Sequence, residues 1–184
     1  MERIILICVT ILVVLLLIGL IVFLALFKRH KVKKMYDDIY NLLSKIEKTN
    51  SNNKLTIINP KSDEYSKYEY TLETTNYFYY IKIVDNRKNS EICVNNSVKW
   101  QVRKTIMDES MNFVSGIEGL MRMDPSYVNN KPTKKLYIIY PNARSLLKYI
   151  NECEMEFVHP HTDVYGSNVM LYLEIEKDPS LIQQ

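Results

Sequence analysis

The sequence predicts a single N-terminal transmembrane helix followed by a soluble α/β or α+β domain with a mixed sheet. Three observations support this fold class. A long uncharged run opens the chain, aromatic and β-branched runs between short polar turns fill the middle, and a strand, helix, strand order is predicted near the end. Beside the helix, about 150 residues remain, which is enough for one domain with a buried core.

The transmembrane helix is predicted from the run at 4–27, which holds 24 residues without a charge, mostly Ile, Leu and Val. A helix of this length reaches roughly 36 Å and crosses a hydrocarbon core of about 30 Å. A core helix of a soluble protein would keep a polar face, whereas this run is apolar all round. The alternative is a secretory signal, but its apolar region spans roughly 7–15 residues and ends at a small-residue cleavage site. We therefore expect an uncleaved anchor.

Five basic residues directly after the run predict its orientation: Lys28, Arg29, Lys31, Lys33 and Lys34. Because cytoplasmic flanks carry an excess of Lys and Arg, we expect the C-terminal domain on the cytoplasmic side of the plasma membrane. The predicted order is a short extracytoplasmic N-terminus at 1–3, the helix at 4–27, a basic juxtamembrane segment at 28–34 and the domain at 35–184. The lipid bilayer is thus a predicted partner. The same cluster would attract anionic headgroups. The alternative is that it serves only as a topology signal.

The predicted domain is not basic, although the whole chain has a net charge of +3. Residues 35–184 hold 18 of the 24 Lys and Arg and 20 of the 21 Asp and Glu, a net charge of −2. General nucleic-acid binding is not expected, since non-specific affinity depends on neutralising phosphates. In the cytoplasm, Cys93 and Cys153 would be reduced, buried thiols. The alternative topology is an extracellular domain with a disulfide between these two cysteines.

Hydrophobic periodicity predicts the elements of the domain. The first part is an amphipathic helix at 33–49, a short strand at 55–58, a hairpin formed by 68–73 and 77–84, a strand at 91–94 and a helix at about 108–123. The last third contains an uninterrupted apolar strand at 136–140, a helix at 143–152, and strands at 156–159 and 169–175. A strand, short helix and strand in this order predict a crossover with parallel pairing.

Glycine content excludes several classes of enzyme. The domain contains three glycines, Gly116, Gly119 and Gly166, and neither a Walker loop nor a GxGxxG motif. ATPase, kinase and dinucleotide-binding functions are therefore not expected, and no cofactor is predicted. The aromatic run 77–80 offers faces on which a ligand could stack. Cross-strand packing is the alternative role for that run.

A cluster of metal-ligand types follows residue 158. The segment His159-Pro160-His161-Thr162-Asp163 resembles the opening of the HxHxDH motif of metallo-β-lactamase-like hydrolases, with Val164 where the final His would stand. The resemblance implies a metal site that contains His159 and His161. Because a zinc site normally takes at least three protein ligands, Asp163 or Cys153 would complete it. The alternative interpretation is a polar loop that enters the last strand.

The predicted order of helix, three strands, helix and strand over 33–140 resembles the core topology of PD-(D/E)XK nuclease-like proteins. In that family, a carboxylate on one strand and the carboxylate of a (D/E)xK motif on the next strand hold a divalent metal. The resemblance implies Glu69, Glu73 and Lys82 as candidates, with Tyr80 where the (D/E)xK carboxylate would stand.

Two functions follow from these patterns. The leading hypothesis is a non-enzymatic interaction domain that is tethered to the membrane and binds a protein partner. The alternative is a membrane-tethered hydrolase, either metal-dependent or a degenerate nuclease-like domain.

Overall fold

A continuous helix, α1, opens the chain and runs over Glu2–Thr49. The computed structural model describes residues 2–58, 68–86, 90–96, 99–103, 112–114, 127–151 and 154–182. The chain divides into two compact units, residues 1–40 and 41–184. Because no proline interrupts this stretch, the two helices predicted at 4–27 and 33–49 form one helix.

The apolar side chains of α1 are exposed among the described residues. Side chains from Val9 to Phe27 are about half exposed, between 48% for Val14 and 66% for Leu16. Among the described residues, α1 is the one helix long and apolar enough to cross a membrane, and it lies near the N-terminus. The helix is thus compatible with a single-pass membrane protein.

The strands of the domain form two sheets. In chain order they are β1 Lys54–Ile57, β2 Tyr70–Glu73, β3 Phe78–Asp85, β4 Glu91–Val94, β5 Trp100–Arg103, β6 Asn112–Phe113, β7 Tyr127–Val128, β8 Lys131–Tyr140, β9 Leu146–Asn151, β10 Glu154–Phe157 and β11 Ser167–Leu171. A short helix, α2 Tyr172–Lys177, and a 3₁₀ turn, Pro179–Ile182, follow the last strand.

Both sheets are mixed. Sheet 1 has the order β1-β2-β3-β8-β11, with β7 added beside β8, and sheet 2 has the order β10-β9-β4-β5-β6. In sheet 1, β1, β2 and β3 form an antiparallel meander, and β8 is parallel to both β3 and β11. In sheet 2, β9 is parallel to β4 and the other pairs are antiparallel.

The main core lies between the two sheets. Trp100 of sheet 2 and Tyr137 of sheet 1 are fully buried, and their ring centroids are 5.0 Å apart. Residues from both sheets join the same apolar cluster, among them Tyr80, Ile92 and Leu146. The two sheets therefore pack face to face.

The other face of sheet 1 is buried as well. Ile81 of β3 and Leu136 and Ile138 of β8 are fully buried, and α2 packs against β8 and β11. At the end of α1, the side-chain amide of Asn53 donates to the carbonyl of Ile46 at 2.9 Å, which fixes the turn into β1. Cover on both faces explains the uninterrupted apolar sequence in the second half of β8, residues 136–140.

The fold class predicted from the sequence is confirmed: one long apolar helix is joined to a mixed-sheet α/β domain. The hairpin of β2 and β3 and the strand β4 form where they were predicted. The strand predicted at 136–140 is the second half of β8, which begins five residues earlier at Lys131. The predicted short strand at 55–58 is β1, and the strand predicted at 156–159 is β10, slightly earlier in the chain.

The prediction of a helix at 143–152 is wrong, because residues 146–151 form strand β9, which pairs with both β4 and β10. The strand predicted at 169–175 ends at Leu171, where α2 begins. Parallel pairing of β8 with β11 is present, but the connection passes through β9 and β10 rather than a helix. Of the helix predicted at 108–123, residues 112–113 form β6 and most of the rest lies outside the described residues.

Candidate functional site

One face of the meander β1-β2-β3 carries two rows of side chains across the three strands. The first row is Lys54, Glu73 and Phe78, and the second is Thr56, Thr71 and Tyr80. Residues two apart on a strand lie on the same face, so the six side chains form one surface. Its aromatic members pack together, with the ring centroids of Phe78 and Tyr80 5.3 Å apart.

These two rows line a half-open groove with a volume of about 300 Å³. We call it the meander groove, and its lining residues are Lys54, Thr56, Ile57, Ile58, Thr71, Glu73, Phe78, Tyr80 and Asn129. The volume is at the lower end of the range for small-ligand sites, about 300–1,000 Å³. The groove therefore fits a short segment or a small group rather than a large cofactor.

Charge in the meander groove is distributed unequally. Both carboxylate oxygens of Glu73 are engaged, one by the Lys131 ammonium at 2.9 Å and the other by the Asn129 amide at 3.1 Å. The hydrogen bond from Lys131 lowers the pKa of the Glu73 carboxyl, and Lys54 contributes in the same direction. Within the described part of the chain, Lys54 forms no salt bridge of its own. The groove thus places the Lys54 ammonium near Glu73 and two aromatic rings.

The described residues that line the meander groove present groups that can bind a ligand. Phe78 and Tyr80 provide apolar contact area, the hydroxyls of Thr56 and Thr71 can donate or accept hydrogen bonds, and Lys54 can pair with an anion. The complementary ligand combines a carboxylate with an apolar group.

The nuclease-like candidates do not converge. The Lys82 ammonium contacts a carboxylate oxygen of Glu69 at 2.5 Å, and the backbone N–H of Ile83 donates to the other oxygen at 2.9 Å. Burial raises the pKa of the Glu69 carboxyl, and these contacts partly oppose the rise. Glu73 lies at the far end of β2, four residues away and therefore roughly 13 Å along the strand. Glu69 and Lys82 thus form an internal ion pair, and Glu73 borders the meander groove.

His159, His161 and Asp163 lie in the loop between β10 and β11, and all three are exposed. The carboxylate of Asp163 accepts a hydrogen bond from the backbone N–H of Gly166 at 3.1 Å, which closes the turn into β11. No three His, Cys, Asp or Glu side chains in the described ranges are placed to hold a metal ion. The metal-site hypothesis remains a prediction without geometric support here.

The other predicted residues lie on α1 and in sheet 2. Lys28, Arg29, Lys31, Lys33 and Lys34 are all exposed on the helix surface. Cys93 is a buried free thiol, and its sulfur accepts a hydrogen bond from the Arg103 guanidinium at 2.7 Å. Cys153, the other partner of the alternative disulfide, lies outside the described residues.

A second polar cluster joins the ends of β3 and β8. The Asn86 amide donates to the carbonyls of Ser90 and Asn142, and the Ser90 hydroxyl returns a hydrogen bond to Asn86 at 2.8 Å. Beside it, the Ser145 hydroxyl donates to Glu91 at 2.6 Å. These side chains bond to one another across two loops, so their role is to fix the loops.

No protein-family model, curated protein or solved structure matches the chain. The function must therefore be inferred from the geometry of the chain itself.

The meander groove was not predicted from the sequence. Only the aromatic run at 77–80 suggested a stacking surface, and it is Phe78 and Tyr80 of that run that line the groove. The rest of the sequence signal for the groove is the alternation of side chains along the three strands. Lys54 and Thr56 alternate on β1 as Thr71 and Glu73 do on β2, but only the register shows that the four share a face.

Proposed function

We propose that this protein is a membrane-tethered, non-enzymatic binding module. In this proposal α1 anchors the chain in the plasma membrane, the domain lies on the cytoplasmic side, and the meander groove binds a protein partner. The single observation that carries the proposal is the groove itself, an aromatic floor beside a lysine that has no salt bridge within the described residues.

The exposure of α1 supports the anchor. A soluble protein rarely leaves a contiguous apolar patch of more than a few hundred Å² in water, yet the helix exposes about half of each side chain from residue 9 to 27. A lipid environment removes this cost, because the backbone polar groups are satisfied within the helix. The five basic residues after the apolar run favour the cytoplasmic orientation.

The chemistry of the groove supports a partner segment with an acidic and an apolar residue side by side. An aromatic or aliphatic side chain would pack on Phe78 and Tyr80, and the carboxylate would reach Lys54. An exposed ion pair contributes about 0–1 kcal/mol. Lys54 therefore provides selectivity, and most of the affinity comes from the aromatic contact.

The test uses a photo-crosslinker on the groove rim. Benzoylphenylalanine replaces Ile57, which lines the groove and is 64% exposed, in the full chain in detergent micelles. The matched control places it at Phe157, which is 65% exposed but lies on β10 of sheet 2. Each protein is incubated with peptides that pair Asp or Glu with Phe or Leu, and with the same peptides carrying Lys instead of the acid.

We expect labelling of the acidic peptides from position 57 and little from position 157. The substitution Lys54→Gln should lower that labelling about two- to fivefold, as expected for loss of an exposed ion pair. Equal labelling from the two positions, or equal labelling of the acidic and basic peptides, would show that the groove is not a specific site.

A further inference from the structure

The basic residues after the apolar run are distributed around the whole circumference of α1. Successive residues of an α-helix are turned by about 100°. Relative to Lys28, this places Arg29, Lys33, Lys34 and Lys31 at roughly 100°, 140°, 240° and 300°. No arc wider than roughly 100° lacks a positive charge. We call these five residues the basic belt.

The basic belt has the height of a headgroup layer. From residue 28 to residue 34 the helix rises roughly 9 Å. The headgroup and interfacial region on each side of a bilayer is about 5–8 Å thick. Because α1 continues without a break through this segment, the basic belt encircles the helix directly beyond the apolar run.

The Lys31 side chain supports this position at the boundary. Its ammonium lies 4.4 Å from the ring centroid of Phe27, the last residue of the apolar run. Helical side chains point towards the N-terminus, so the Lys31 charge is held over the edge of the apolar surface. In a helix that crosses a bilayer, a cation in this position would lie at the level of the headgroup phosphates.

The acidic residues nearby do not neutralise the first half of the belt. Asp37 and Asp38 follow Lys33 and Lys34 by four residues, the spacing at which helical side chains of opposite charge pair. Lys28, Arg29 and Lys31 have no acidic residue three or four positions away. The uncompensated charge therefore lies next to the apolar run.

We infer that the basic belt selects anionic phospholipids as the lipid shell of α1 in the leaflet that contacts residues 28–34. The inference rests on the proposal that α1 spans the membrane. The ligand chemistry is a phosphate-bearing, net negative headgroup in a bilayer. An uncharged or zwitterionic headgroup gains less from a ring of cations, since its phosphate is already balanced.

The full chain is reconstituted in phosphatidylcholine vesicles with a minor share of phosphatidylserine. Spin-labelled phosphatidylcholine or phosphatidylserine is added, and electron paramagnetic resonance measures the fraction of each label that the protein immobilises. An immobilised fraction of any label reports a helix that is in contact with lipid. The ratio between the two labels reports headgroup selection. Absence of immobilised lipid would contradict the anchor, whereas immobilised lipid without selection would contradict only the belt.

We expect phosphatidylserine to be preferred about two- to fivefold, with the preference falling as salt rises. Replacing Arg29 and Lys31 with Gln should remove most of it. The matched control removes two exposed charges elsewhere, Lys99→Gln with Lys177→Gln, and should leave the ratio unchanged. An equal loss in both double variants would overturn the inference.

Inorganic phosphate distinguishes a lipid ligand from a soluble one. At equal ionic strength, phosphate and chloride should lower the preference equally, because both act only by screening. A loss specific to inorganic phosphate would show that the belt binds the free anion instead of the lipid.

Discussion

Two glutamates at opposite ends of β2 have pKa values that shift in opposite directions. Burial raises the pKa of the Glu69 carboxyl, even though Lys82 and the Ile83 N–H contact it. At Glu73, the hydrogen bond from Lys131 outweighs the effect of burial and lowers the pKa of the carboxyl. The sequence alone identifies both residues only as glutamates with a lysine nearby. The direction of each pKa shift depends on the hydrogen bonds that the folded chain supplies to each carboxylate.

The two shifts predict opposite effects of pH on stability. The Glu73 contribution should be fully present above the unfolded pKa near 4.5 and be lost as pH falls through the lowered folded value. The Glu69 contribution should be present below about 4.5 and be lost as pH rises through the raised folded value. Urea unfolding of wild type, Glu69→Gln and Glu73→Gln in detergent micelles between acid and neutral pH measures both.

As pH rises, wild type should become more stable relative to Glu73→Gln and less stable relative to Glu69→Gln. If the difference in free energy of unfolding between wild type and variant changes with pH in the same direction for both variants, the assigned environments are wrong.

Strand β9 shows where periodicity cannot distinguish a helix from a strand. Leu146, Leu147 and Ile150 fit the spacing of a helical face, and a segment of about ten residues is short for either assignment. What decides the structure is pairing: Leu147 lies between Cys93 of β4 and Phe157 of β10. Long-range pairing of this kind leaves no local trace in the sequence. The hairpin of β2 and β3 was predictable because its turn and both strands are local.

A proline in β9 tests this pairing. Lys148 is paired with Val94 on one side and Glu156 on the other, and proline removes its N–H from the ladder. We expect Lys148→Pro to lower the free energy of unfolding by roughly 1–3 kcal/mol more than Lys148→Ala. The alanine variant accounts for the loss of the contact between Lys148 and Glu156 at 3.6 Å.

The positional control is Glu154→Pro at the first residue of β10, which ends the described order of sheet 2. Proline is tolerated at the first residue of an edge strand, so this variant should cost less. If the alanine and proline variants at 148 unfold alike, β9 is not an internal strand.

At the scale of the whole molecule, the long apolar helix was predictable and the meander groove was not. An uncharged run of 24 residues can be recognised from composition alone, because a helix that crosses a bilayer needs apolar side chains on every side. The meander groove instead depends on the register of three strands, which brings residues 54 and 73 side by side from distant positions. The proposed function of the protein depends on both parts. In that proposal, α1 tethers the chain to a membrane and the meander groove provides the site for a partner.

The most direct test of the central claim, that α1 anchors this domain in a membrane, is alkaline extraction of membranes from cells that produce the full chain. We expect wild type to stay in the membrane pellet. The variant Leu15→Arg with Leu17→Arg should be extracted, since each arginine at the helix centre costs about 2.5–3.5 kcal/mol on insertion. Recovery of wild type in the alkaline supernatant would contradict the anchor, and with it the proposed role of the protein as a tethered binding module.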